Sequence, residues 1–213
     1  MIDLWDKFCL KSNYKFQMMS DLTNALNRIL DWLEKYSPIS AMGFQPGLST
    51  KIIEQKLSLL PYYVSQEVYE LYRWRNGDQS YNSIFGYLWL LNLDSACNSS
   101  EYINQKDLWE SRKEAGEPQY LLPLFEFDGE YFAVQGNEKL TNTAPVFHVS
   151  DCCDVSFAFV NLTGMMLAIA ECYETGIYAL NENGLEVIDE IKFKEIRRKH
   201  NPGTVEALYV EGW

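Results

Sequence analysis

The hydrophobic period changes once at Asn76-Gly77 and again near Asn161, and these two changes restrict the folds open to the chain. Before the first, Leu22, Ala25, Leu26, Ile29, Leu30 and Leu33 recur at i, i+3, i+4, i+7, i+8 and i+11, the stripe of an amphipathic helix. That helix runs from Ser20 to about Tyr36 and ends before Pro38. Ser49 or Thr50 caps a second helix to about Leu59, which Pro61 breaks. Ser65 opens a third, with Val68, Leu71 and Tyr72 on its buried stripe and Gly77 as a left-handed residue past its end. After Gly77 the chain reads as strands: Ile84 to Leu93, Tyr120 to Phe127, Glu130 to Gln135 and Pro145 to Val149. Residues 94–118 read as a polar connection with one helical turn around Asp107 to Arg112.

Asp128-Gly129 is the strongest local signal. This dipeptide suits a type I′ turn, which fixes the pairing of Phe127 with Glu130 and of Phe125 with Phe132. Asn161 then caps a helix to about Thr175, closed by Gly176, with Leu162, Met165, Met166, Ile169 and Tyr173 on its stripe. A short hairpin turns at Asn181-Glu182-Asn183-Gly184, and Asp189 to His200 forms a last helix stopped by Asn201-Pro202-Gly203. Helices, then strands, then helices describe one α+β domain with a mainly antiparallel sheet. The expected organisation is an extension over 1–19, the domain over 20–203 and a tail over 204–213.

A chain of 213 residues buries enough surface to need no metal or disulfide for its core. Lys and Arg total 18 against 30 Asp and Glu, a net charge of -12. Such a surface repels a nucleic-acid duplex and an anionic membrane, so neither is expected as a partner. A basic protein is attracted, mainly through faster encounter. No apolar run approaches the roughly 20 residues of a membrane span.

Five cysteines, Cys9, Cys97, Cys152, Cys153 and Cys172, contain no Cys-x-x-Cys, and charges break up residues 1–19 as a leader. Free thiols and a cytoplasmic location fit best. Motifs for nucleotide binding, serine hydrolysis and zinc peptidases are absent. His148 could pair with Cys152 or Cys153 in a nucleophilic site; the plainer expectation puts His148 on the wet side of its strand and both thiols in the core. Asn181 to Glu190 nearly fits a calcium loop, but Ala179 would stand at its first ligand position, so it reads as a turn. Lys192, Lys194, Arg197, Arg198, Lys199 and His200 form the one basic stretch, read as the solvated face of the last helix. No catalytic group, cofactor or metal site is expected.

Glu126, Asp128 and Glu130 crowd the tip of the central hairpin, and Asp151 and Asp154 follow the next strand. At turns, water screens such groups, and the sharper reading is an acidic rim for a basic partner.

The stretch from Leu60-Pro61-Tyr62-Tyr63 to Leu71-Tyr72-Arg73-Trp74-Arg75-Asn76-Gly77 resembles the signature of the SUKH superfamily, in its branch related to the yeast cell-wall-assembly regulator of the Smi/Knr type. Leu122-Pro123-Leu124-Phe125 with Asp128-Gly129, and Leu162-Thr163-Gly164-Met165-Met166, resemble the later blocks. The resemblance spans about residues 20 to 203. It implies a compact α+β fold with a strongly bent sheet surrounded by helices, and no catalysis. It also implies that Pro61, Tyr72, Trp74, Asn76 and Gly77 are structural. Many bacterial members are immunity proteins that bind and neutralise a cognate toxin. The expected function is therefore a non-enzymatic binding module, an immunity protein occluding a basic toxin; the alternative is a regulatory scaffold with no toxin partner. The sequence leaves the oligomeric state open.

Overall fold

The computed structural model describes residues 20–79, 85, 88–181 and 184–203. The expectations for 1–19, for the start of the strand at Ile84, for the centre of the 181–184 turn and for 204–213 lie outside those residues.

Helix α1 (Asp21–Tyr36) buries the six residues of the predicted stripe, and the Ser20 hydroxyl accepts from the Thr23 amide at 3.1 Å to cap it. A short helix α2 (Pro38–Met42), with Pro38 at its first turn, leads into strand β1 (Phe44–Pro46). Helix α3 (Thr50–Leu57) is capped by Ser49, and helix α4 (Gln66–Trp74) follows. Here the structure corrects the reading of Asn76-Gly77. The helix ends into extended backbone at Arg75, and strand β2 (Arg75–Asp78) pairs antiparallel with β1. Gly77 has φ +91°, and a Cβ there would stand 2.7 Å from the Asn92 nitrogen. The glycine serves a close backbone crossing, not a helix cap.

Strand β3 (Trp89–Leu90) is shorter than the predicted strand. The expected connection over 94–118 is instead helix α5 (Leu93–Ile103) and helix α6 (Lys106–Ala115), the latter ended by Gly116 at φ +74°. Asn92 Oδ1 caps α5 through the Ser95 amide at 2.9 Å, and Asn76 Oδ1 accepts from the Leu93 amide at 3.0 Å. Strands β4 (Leu121–Phe127), β5 (Glu130–Gln135), β6 (Val146–Val149) and β7 (Val155–Phe159) join β3 in an antiparallel meander ordered β3-β4-β5-β6-β7. The hairpin register is the predicted one, and Asp128 (φ 48°) and Gly129 (φ 87°) both take the positive φ of a type I′ turn.

Helix α7 (Leu162–Glu174) is capped by Asn161, whose Oδ1 accepts from the Gly164 amide at 2.7 Å. Strands β8 (Tyr178–Asn181) and β9 (Gly184–Val187) form the second hairpin, and helix α8 (Glu190–His200) begins at an Asp189 cap. The chain is a single-domain α+β fold.

The sheet separates two cores. Leu122, Phe125, Phe132, Val134, Val146 and Phe159 face the main core, shared with α1, α4 and α7. Leu121, Ala133 and Val149 face the other way, under Ile103 of α5. On that second face α5 packs against β4, while Phe147, Val155 and Phe157 of the outer strands remain half-buried.

Candidate functional site

The pleat divides the acidic residues proposed for binding. Glu130 pairs with Phe127 and so shares the face of Phe125 and Phe132, whereas Glu126 pairs with Tyr131 and points to the face covered by α5. Partial burial beside Trp89 and Ser99 raises the Glu126 carboxyl above its usual range. Asp128, Asp151 and Asp154 sit at exposed turns, and a Cβ on Gly129 would lie 4.0 Å from the Asp151 Cβ. The tip of the β4–β5 hairpin and the β6–β7 turn therefore meet at one end of the sheet. Four of the five predicted residues gather around that end; Glu126 does not join them. Phe127, 41% exposed, lies beside the same tip with its ring 5.9 Å from Trp89 in an edge-on contact.

His148 departs from expectation. It is buried, because its register partner Phe132 turns that side of the strand into the main core. Its Nε2 lies 3.0 Å from Glu130 Oε2. The pair anchors the hairpin edge and ties up one carboxylate of the acidic end. The thiols depart as well. Cys152 is exposed and Cys153 half-buried, both in the β6–β7 turn rather than in the core. Cys153 takes φ 67°, and its amide donates to the Ser150 carbonyl at 2.9 Å. The neighbouring Asp151 carboxylate pushes the Cys152 thiol up, opposite to the shift an activated nucleophile needs.

Tyr72 is fully buried and its hydroxyl donates to the Leu91 carbonyl at 3.3 Å. Trp74 donates from Nε1 to Asn27 Oδ1 at 2.9 Å. Asn76 and Gly77 fix the crossing of β2 over the start of α5. Pro61 is exposed, four residues past the end of α3, and borders a cleft.

The basic stretch of α8 is largely consumed within the fold. Lys199 and His200 hold Glu171 at 2.7 and 2.6 Å, which keeps that carboxyl below its usual range. Lys192 pairs with Asp189 at 3.1 Å. Arg197 is not on the wet face: its Nη2 donates to the Ala158 carbonyl at 3.0 Å, and its guanidinium lies 4.8 Å from the centre of the Phe159 ring.

One feature of the second sheet face had no sequence signal. A cleft of about 660 Å³ opens between Pro61-Tyr62, the 116–120 segment after α6, the 135–138 segment after β5, and Phe147, Val155 and Phe157. Tyr62 and Tyr120 stack at 5.0 Å and 24° to form one wall. That wall is fixed from behind, since the Tyr62 hydroxyl meets Ser100 Oγ at 2.5 Å and donates to the Leu121 carbonyl at 3.2 Å.

Among the described residues no group of three or more His, Cys, Asp or Glu is placed to hold a metal ion, and no helix is long and apolar enough to cross a membrane. Compared with known proteins, the chain matches no family model and no curated protein.

Proposed function

We propose that this chain is a protein-binding module whose acidic sheet end covers the basic face of a partner, in the manner of an immunity protein occluding its toxin. The observation that carries the reading is the meeting of Asp128, Asp151 and Asp154 around two adjoining turns in a chain of net charge -12. Like charges held together at exposed turns favour a ligand that neutralises them, and they speed its encounter. The SUKH-type resemblance of the 60–77 block supports the choice of a toxin as that ligand. The raised Cys152 thiol and the engagement of His148 by Glu130 argue against the competing thiol-enzyme reading.

The test is capture from the native host's lysate on the tagged full chain, at low and then moderate salt, read by mass spectrometry. One basic protein retained at stoichiometry, whose association slows and loses salt dependence with the triple variant D128K/D151K/D154K, is the expected result. Retention of several acidic or neutral housekeeping proteins would replace the toxin reading with a scaffold. Unchanged association of the triple variant would sink the choice of surface.

A further inference from the structure

The cleft on the second sheet face has the form of an anchor site. Its floor is Phe147, Val155 and Phe157, with the two rings edge-on at 5.7 Å and all three side chains half-buried. Apolar surface left open in a concave site favours a partner that covers it. Its volume falls within the range of sites that take a buried ligand group.

The walls are pre-organised. Gly136 lies directly under the Tyr62–Tyr120 stack, where a Cβ would stand 2.3 Å from Tyr62 Cδ2 and 2.9 Å from Tyr120 Cβ. With Tyr62 also held by Ser100 and Leu121, the aromatic wall has little freedom to lose on binding.

Charge selects the occupant. Among the described residues no lysine, arginine or histidine lines the cleft, and the charged ones that do are Glu117 and Glu138, both exposed. The floor also runs directly into the acidic turn, because Val155 follows Asp154 in the chain. An acidic or purely apolar segment would meet repulsion or leave these carboxylates unmatched; a cationic one would not.

We infer that this cleft seats an aromatic or branched aliphatic side chain of a protein segment flanked by lysine or arginine, and so supplies the apolar anchor of the interface. The inference rests on the proposed function in taking the partner to be basic, and it adds where the partner's hot spot lodges.

A random dodecapeptide library displayed on phage, panned on the full chain at near-physiological salt, tests it. Enriched peptides should carry net positive charge and at least one Phe, Trp, Leu or Ile. Synthesised peptides should bind F157D about tenfold or more weakly. They should bind E117K/E138K several-fold more weakly and with a flatter salt dependence, while an unchanged circular-dichroism melt shows that both variants fold. V155D gives an independent floor variant should F157D fail to fold. No enrichment over an unrelated acidic protein, neutral or acidic consensus peptides, or equal binding to the floor variants would overturn the inference. A concentration-dependent dimer abolished by F157D would also overturn it, by making a second copy the occupant. Failure here is separable from failure of the proposed function. A basic host partner that responds to D128K/D151K/D154K but not to F157D leaves the function standing and removes the cleft from it.

Discussion

Glu67 on α4 accepts two hydrogen bonds from Thr163 on α7, one from the amide at 2.8 Å and one from the hydroxyl at 2.6 Å. The two residues lie 96 apart in the chain, and the carboxylate sits in the first turn of α7, where the helix dipole favours it. Removing the acceptor strands two half-buried donors, so Glu67→Ala should cost about 1–3 kcal/mol in urea unfolding at neutral pH.

Glu67→Gln separates charge from geometry. Burial is the leading influence on this carboxyl and raises it above 4.5. A raised carboxyl contributes stability that is fully present below about 4.5 and is lost as pH rises through the folded value. The glutamine keeps an acceptor and carries no charge. Its stability relative to wild type should therefore be higher at pH 8 than at pH 4.5, with a total change within about 1–2 kcal/mol. A difference independent of pH would show that burial does not govern Glu67.

Glu171 behaves in the opposite sense. Lys199 and His200 hold its carboxyl below 4.5, so its contribution is present above that value and lost as pH falls through the lower folded one. Glu171→Gln should lower the unfolding midpoint at pH 6 by an amount worth about 1 kcal/mol or less, the range of partly exposed pairs. That difference should shrink as pH falls further below 4.5 and the carboxyl takes up its proton. Persistence of the full difference in acid would assign the effect to packing.

Gly77→Ala should destabilise by at least about 2 kcal/mol, because the added methyl meets the Asn92 backbone and the residue holds φ +91°. Gly116→Ala, with nothing within 4 Å of the added carbon, is the control: it carries the cost of a positive φ alone. Thermal melts of the two variants should separate clearly, with Gly77→Ala lower.

Iodoacetamide should find Cys152 the most accessible described thiol, yet react slowly at pH 7.5, because Asp151 holds the sulfhydryl up. Asp151→Asn should accelerate its alkylation. Cys97, pushed by burial up to about 11, and the fully buried Cys172, pushed up to about 12, should stay unlabelled until the chain unfolds. Fast labelling of Cys152 in the wild type at neutral pH would revive a thiol chemistry for the β6–β7 turn.

The elements legible in the sequence are those whose burial follows one period. The α1 stripe and the Phe125–Phe132 register came through because every buried position of the stripe and of the paired phenylalanines is apolar. Helix α5 did not, since its buried positions are Leu93, Ala96, Ser100 and Ile103, two of them small or polar. Strand β7 hid for a different reason: Val155, Phe157, Ala158 and Phe159 put apolar groups on both faces, and the turn before it spends Cys153 rather than glycine at its positive φ. Of the acidic set, the predicted hairpin register already implies that Glu126 and Glu130 lie on opposite faces, whereas the approach of Asp151 to Gly129 had no signal in the spacing. The cleft was beyond any sequence window, because its walls come from five separate stretches of chain.

The packing of α1 along α7 has a mechanical meaning. The first described helix and a helix near the other end of the domain are clasped side by side, with Arg28 bonded to Glu174 and Trp32 against Tyr173 at 4.5 Å. A force applied through residues 20 and 203 loads that clasp before it reaches the meander, whose strands are joined mainly to their sequence neighbours. Stretched in this direction, the molecule should yield first by peeling α1 away, leaving the sheet, with its acidic end and its cleft, intact as the last part to give way.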